Sequence, residues 1–134
     1  FEKGINVIKS SNYYETLSWP NPKNPKFYNV VLKTETYLSD KKALDTCKQI
    51  EKSLGRKKNK RNSPRECDID IVDFNKKTKK KDINLPHPRM HTRNFVLIPL
   101  YEIDRNWRHP ITKEHIKSLI SSLSGRDISS IKQI

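Results

Sequence analysis

Three glycines in 134 residues are too few for a Gly-rich loop of the Walker or Rossmann kind, in which backbone amides wrap a phosphate. Any phosphate binding must therefore rely on side chains. The two cysteines, Cys47 and Cys67, are too few and too far apart for a zinc cluster or a disulfide framework, which favours a reduced, intracellular and cytoplasmic setting. Hydrophobic residues make up 33% of the chain, against roughly 45–50% in an ordinary globular domain. The longest apolar stretch, Phe95 to Leu100, falls far short of the roughly 20 residues that cross a bilayer. No membrane partner is expected. The opening FEKGINVIKS lacks the basic, apolar and small-residue succession of a signal peptide. Positive charge is what the chain does have: 28 Lys and Arg against 15 Asp and Glu, a formal charge of +13. Such an excess calls for an anionic partner, and the length fits one domain.

Along the chain, Ile5 to Thr16 is rich in β-branched and aromatic residues and reads as a strand. A stiff loop follows, with Trp19, Pro20, Pro22 and Pro25. Phe27 to Thr36 reads as a second strand able to pair antiparallel with the first. Ser39 is a good N-cap, Leu44, Cys47, Ile50 and Leu54 recur at helical spacing, and Gly55 supplies a stop, so Ser39 to Leu54 is predicted helical. Gly55 to Arg65 carries six cations and no acid. Cys67 to Phe74 has the composition of a buried strand, and KKTKKKD, Lys76 to Asp82, that of a solvated turn whose side chains nothing orders. Helices are predicted over Met90 to Ile103 and Thr112 to Leu123. The sum is a small α+β domain.

Three segments could carry chemistry. Asp68 and Asp70 are two apart on the predicted strand, which places both carboxylates on one face about 7 Å apart. They either line the wet side of an edge strand or hold a hard divalent cation such as Mg²⁺, which commonly takes one or two protein carboxylates plus substrate phosphates. The basic loop before them is either a solvated or nucleic-acid-binding surface or a source of cations for phosphate oxygens. In LPHPRMHTRNFVLIPLYEI, His87 sits between two prolines, with Arg93 and Phe95 following. The histidine is either a structural donor or, with Arg93, part of an anion site.

Taken together, PRECDIDI (Pro64 to Ile71) and LPHPRMHTRNFVLIPL (Leu85 to Leu100) resemble the two signature regions of the 6-hydroxymethyl-7,8-dihydropterin pyrophosphokinases of the folate pathway. YYET (Tyr13 to Thr16), FYNVVLKTET, IEKSLGR (Ile50 to Arg56) and His109-Pro110 extend the likeness over most of the chain. The resemblance implies a ferredoxin-like α+β fold, an antiparallel sheet packed with helices. It implies transfer of diphosphate from ATP to the hydroxymethyl oxygen of the reduced pterin, with release of AMP. Asp68 and Asp70 would bind two Mg²⁺ ions, Arg56 and Arg65 would steady the transferring diphosphate, and Arg61 would close over it. Glu51, Ile71, His87 and Arg93 would join Arg61 in contacting ATP. Phe27 and Phe95 would sandwich the pterin while Asn29 and the backbone around Thr16 and Leu17 read its polar edge. The family's opening strand and most of its first helix have no counterpart, so residues 1–134 are expected to be one N-terminally incomplete domain. Asn62 and Ser63 stand where some members have Trp-Gly. Fusion to another folate-pathway enzyme is compatible with the resemblance.

Two other classes suit parts of the sequence. A basic RNA-binding module of ferredoxin-like fold would use the +13 charge, but no strand interleaves aromatics with basic residues as such modules do, which weighs against nucleic acid. A nuclease built on Asp68 and Asp70 would leave the PHPRM segment without a task.

Overall fold

The computed structural model describes residues 4–16, 27–54 and 67–134, with the backbone alone at Phe27. It is an α+β arrangement of five strands and four α-helices among the described residues. Strands β1 (Ile5–Ser10) and β4 (Leu32–Thr36) form an antiparallel pair with a bulge at Ile8. Strands β2 (Tyr14–Thr16), β3 (Phe27–Asn29) and β5 (Ile131–Gln133) form a second antiparallel sheet in the order β3-β2-β5. The two long strands expected from the sequence do pair antiparallel, yet each is cut in two at the same level. Ser11 is the reason. Its N–H donates to the Val31 carbonyl at 2.9 Å, while its hydroxyl accepts the Val31 N–H at 2.9 Å. A side chain thus takes the place of a ladder carbonyl, and the sheet changes partners there.

Helix α1 (Asp40–Ser53) begins where predicted, with the Ser39 hydroxyl accepting the Lys42 N–H. Its buried stripe, however, is Asp40, Ala43, Cys47 and Glu51, while Leu54 is 51% exposed. The buried Asp40 carboxylate meets Lys79 at 3.3 Å and Lys77 at 3.9 Å. Burial alone would raise its pKa, but the Lys41 N–H and the two lysines hold it below its usual range. This corrects the reading of KKTKKKD as unordered: two of its lysines compensate a buried charge, and Lys79 pairs its backbone with Leu85.

Cys67 to Phe74 belongs to no sheet ladder, against expectation. The segment is a strap, alternating exposed Asp68 and Asp70 with half-buried Ile69 and Ile71. The predicted helix from Met90 splits into a 3₁₀ turn, Met90–Thr92, and helix α2 (Asn94–Ile103). Helix α3 spans only Ile116–Ser121, because the His115 side chain caps it by accepting the Lys117 N–H and the preceding residues form a turn with Lys113 at φ 64. A short helix α4 (Gly125–Ser129), which the sequence reading did not anticipate, leads into β5.

The core lies between α2, α3 and the loop before α3: Met90, Leu97, Leu100, Ile103, Trp107, Ile116 and Leu119. Val31 and Val72 pack on its edge, so strap and sheet share this core. Leu97 is fully buried. Leu97→Ala should therefore cost about 2–5 kcal/mol in urea-induced unfolding, whereas Leu54→Ala, at an exposed position, should stay within about 0.5 kcal/mol.

Candidate active site

The strap carrying Asp68 and Asp70 is held on both sides of the second acid. The Ile69 N–H donates to Glu51, a 4% exposed carboxylate on the last turn of α1. The Val72 carbonyl accepts the His87 N–H at 2.9 Å. These two bonds do the work a ladder would have done, and the second joins the Asp-x-Asp segment to the Pro-His-Pro segment. Further along, Trp107 donates to Asp73 at 2.9 Å, and Lys76 bridges Asp73 and the Arg108 carbonyl while lying 4.5 Å over the Trp107 ring.

His87 is the electrostatic meeting point. Burial pushes its imidazole below the usual range; Asp70 works against that shift, and Arg93 and Arg89 add to it. Its Nδ1 accepts the Arg89 N–H at 3.2 Å, which requires that nitrogen to be unprotonated. A cavity of about 310 Å³ opens beside His87, bordered also by Lys79, Lys80, Asn84, His91 and His109. Arg93 lies 5.4 Å over the Phe95 ring and flanks helix α2 at its N-terminus.

Phe95 and Glu102 are seven residues apart on α2, which puts them on one helix face. That face looks at β2, because Glu102 accepts the Tyr14 hydroxyl at 2.6 Å and the Asn12 N–H at 2.8 Å. On the sheet, Tyr14 opposes Asn29 and Thr16 opposes Phe27. Residues directly opposed, or two apart, share a face, so Tyr14, Thr16, Asn29 and the Phe27 position all look toward α2. Asn29 reaches Thr16 at 3.5 Å. At the other end of α2, Asn94 donates to the Asp127 carbonyl and to the Ser130 hydroxyl at 3.0 Å, just before Ile131 pairs with Thr16. The helix therefore runs antiparallel to β2, with Phe95 at the Thr16 end.

Among the described residues the structure thus links Asp70, His87, Arg93 and Phe95 in one direction and sets Phe95 opposite the Thr16 and Asn29 face in the other. Ile71 lies on the strap beside Asp70, and Glu51 is its buried brace. Leu17, Arg56, Arg61 and Arg65 lie outside the described residues, as does the Phe27 side chain. Sequence reasoning missed Glu102, Tyr14 and Asn94. The signal for Glu102 was an acid standing seven residues from Phe95 in an otherwise apolar helix.

No three His, Cys, Asp or Glu side chains converge as a metal-ligand set among the described residues. No described helix is long and apolar enough to cross a membrane. A family model described as 7,8-dihydro-6-hydroxymethylpterin-pyrophosphokinase matches residues 1–105. The 2-amino-4-hydroxy-6-hydroxymethyldihydropteridine pyrophosphokinase of Aquifex aeolicus is 36% identical over 117 residues, 87% of this chain and 73% of that protein. The enzyme of the same name from Bacillus subtilis is 38% identical over 100 residues, covering 74% of this chain and 60% of the relative. The folic acid synthesis protein fol1 of Pneumocystis carinii is 38% identical over 130 residues, 96% of this chain, but the match spans only 18% of that longer protein.

The histidines make stability depend on pH. Burial is the largest cause lowering His109 as well, with His91 and Lys76 adding to it and Glu114 and Asp73 opposing it. Its Nδ1 also accepts backbone N–H groups, from Ile111 and Thr112. Both imidazoles take up a proton more readily unfolded than folded, so their effect is absent above the usual histidine range, about pH 6.5, and destabilises the fold below it. The unfolding free energy should fall between about pH 7.5 and about pH 5.5. His109→Asn should flatten that slope, and a profile that rises toward acid would contradict the assignment.

Proposed function

The chain belongs to the 7,8-dihydro-6-hydroxymethylpterin-pyrophosphokinase family, and from that premise we propose that it transfers diphosphate from ATP to 6-hydroxymethyl-7,8-dihydropterin in folate biosynthesis. The pterin hydroxyl oxygen attacks the β-phosphorus of ATP. The bond from that phosphorus to the oxygen bridging the α-phosphate breaks, AMP departs with the bridging oxygen, and the hydroxyl proton passes to water. What carries the reading is the adjacency of two surfaces: Asp70, His87 and Arg93 lead to Phe95, and the α2 face that carries Phe95 turns toward the β2–β3 face of Thr16 and Asn29. A charged surface beside an aromatic side chain that faces a sheet suits a reaction between a triphosphate and a heterocyclic alcohol.

In this reading Phe95, with Phe27 opposite, stacks on the pterin, and Asn29 with the backbone at Thr16 and Leu17 matches its edge. Each stacked face adds about 0.5–1.5 kcal/mol beyond area burial. His87 and Arg93 hold the nucleotide, Ile71 lines its path, and Glu51 serves it by bracing the strap. The cavity beside His87, with Lys79 and Lys80 on its border, supports placing the nucleotide there. Arg56, Arg61 and Arg65 are assigned to the diphosphate by the resemblance alone. The donor set fits magnesium: two exposed carboxylates on one side of a strap, leaving most coordination positions to water and phosphate. Asp68 and Asp70 would hold it, as two ions by the resemblance, and it would supply charge neutralisation on the triphosphate. The protein's own part is to orient the reactants in line and to exclude water.

The same proposal extends to a ferredoxin-like arrangement, supported by the antiparallel β2 and β3 backed by α2, to residues 1–134 belonging to one such domain, and to a cytoplasmic setting. The length of the Pneumocystis relative, of which the match covers 18%, supports a kinship with fused folate-synthesis proteins.

The decisive assay incubates the chain with ATP, magnesium and the reduced pterin and separates the nucleotides. AMP should appear in equal amount with diphosphorylated pterin; ADP with orthophosphate, or nucleotide cleavage independent of pterin, would sink the reading. Asp68→Ala and Asp70→Ala should each lower turnover on the order of 10²–10³-fold, and turnover kept by either variant would remove that residue from the metal role.

A further inference from the structure

We infer that Glu102 is a positioning residue for the pterin: by holding Tyr14 and Asn12 it sets the gap between helix α2 and the β2–β3 face, and so the fit of the flat ring. The inference rests on the function proposed above and goes beyond it to a residue distant from the stacking ring.

Both oxygens of the Glu102 carboxylate are engaged, Oε1 by the Tyr14 hydroxyl at 2.6 Å and Oε2 by the Asn12 N–H at 2.8 Å. Turning the carboxylate or shifting the helix breaks at least one of these bonds. Tyr14 is 6% exposed, so its hydroxyl would be costly to leave without a partner. Seven residues of helix place Phe95 about 10.5 Å along the axis from Glu102, and two residues of strand place Thr16 about 6.7 Å from Tyr14. The clasp, Phe95 and Thr16 therefore lie along the same pair of elements. The Asn94 contacts with Asp127 and Ser130 close the far end. That second tie is needed because Pro99 has no N–H to offer the Phe95 carbonyl, which leaves the first turn of α2 short of one helical bond.

A helix tied at one end to Tyr14 and Asn12 and at the other to the turn from α4 into β5 has its distance from the sheet set, and separation is what a stacked ring senses most sharply. A gap wider by about 0.5–1 Å forfeits roughly a quarter to a half of each dispersion contact. Because both Glu102 oxygens are spent on protein donors, the residue acts through geometry and does not touch the substrate.

The test uses the full chain and the variants Glu102→Gln and Tyr14→Phe. Glu102→Gln replaces one acceptor by an amide that cannot receive a second N–H. The clasp has its own readout without substrate: burial first, then the Glu102 bond and charge, push the Tyr14 phenol up to about 12, and in Glu102→Gln its absorbance titration should move back toward 10.0. With the clasp so released, KM for the pterin should rise about tenfold while KM for ATP stays within about twofold, the split expected when one substrate's fit alone is lost. An unchanged pterin KM with the phenol titration moved back toward 10.0 would overturn the inference and leave the proposed function standing. Equal losses for both substrates, accompanied by a lower melting temperature, would reduce Glu102 to a structural role and overturn it too. Should the wild-type chain form no AMP from ATP and pterin, the functional reading falls and the inference with it, while the phenol titration still reports whether the clasp exists. Where Glu102→Gln fails to fold, Tyr14→Phe, which deletes a single oxygen, carries the same pterin and ATP comparison.

Discussion

Two hydrogen bonds to one carboxylate decide how far helix α2 stands from strand β2. Glu102 receives Tyr14 and the Asn12 backbone, and the side of α2 that turns to the sheet goes with that contact. Phe95 faces the sheet because Glu102 does. Arg93 lies over Phe95, and His87, reached by the charges of Arg93 and Asp70, ties the helix N-terminus to the strap. The path from the sheet face of Tyr14, Thr16 and Asn29 thus runs through Phe95, Arg93 and His87 to Asp70.

The strap is the second constraint, and its economy is unusual for a segment carrying acidic residues. A strand with partners on both sides would fix Asp68 and Asp70 through many backbone bonds. Here the buried Glu51 at Ile69, the His87 N–H at Val72 and the Trp107 indole at Asp73 anchor it, while Val72 leans on the core. The arrangement leaves the acid-bearing side open, as substrate access requires, and loads the cost of order onto Glu51 and the rigid Pro-His-Pro turn. The positive excess divides accordingly. Lys77 and Lys79 neutralise Asp40 at the start of α1, Lys76 braces Trp107, and Arg89 and Arg93 shape the surroundings of His87.

Much of this was legible in the chain, and the misses have physical causes. Helix α1 was readable because Ser39 caps it by purely local chemistry, yet the periodic set Leu44, Cys47, Ile50 and Leu54 did not reveal two further buried positions: Asp40 and Glu51 are buried because tertiary partners, Lys79 and the Ile69 N–H, compensate them. The pairing of the first two strands was readable from composition, but their division was not, since it depends on a Ser11 hydroxyl replacing a carbonyl across twenty residues of sequence. The strap read as a strand because alternation is a property of extended backbone whether or not a ladder forms. Asp68, Asp70, His87, Arg93 and Phe95 were found through two compact motifs. Glu102 and Tyr14 escaped because their bond spans 88 positions, a pairing that no local pattern reveals.

The central claim is spatial: one helix carries both the ring slot and the approach to the acids, so pterin and triphosphate meet at its N-terminus. A crystal structure of the chain with the reduced pterin, magnesium and a non-hydrolysable ATP analogue tests it most directly. The account predicts the pterin ring between Phe95 and the β2–β3 face, its hydroxymethyl group directed toward Asp70, and the triphosphate spanning the strap and Arg93. A pterin bound away from Phe95, or a triphosphate remote from Asp68 and Asp70, would contradict it.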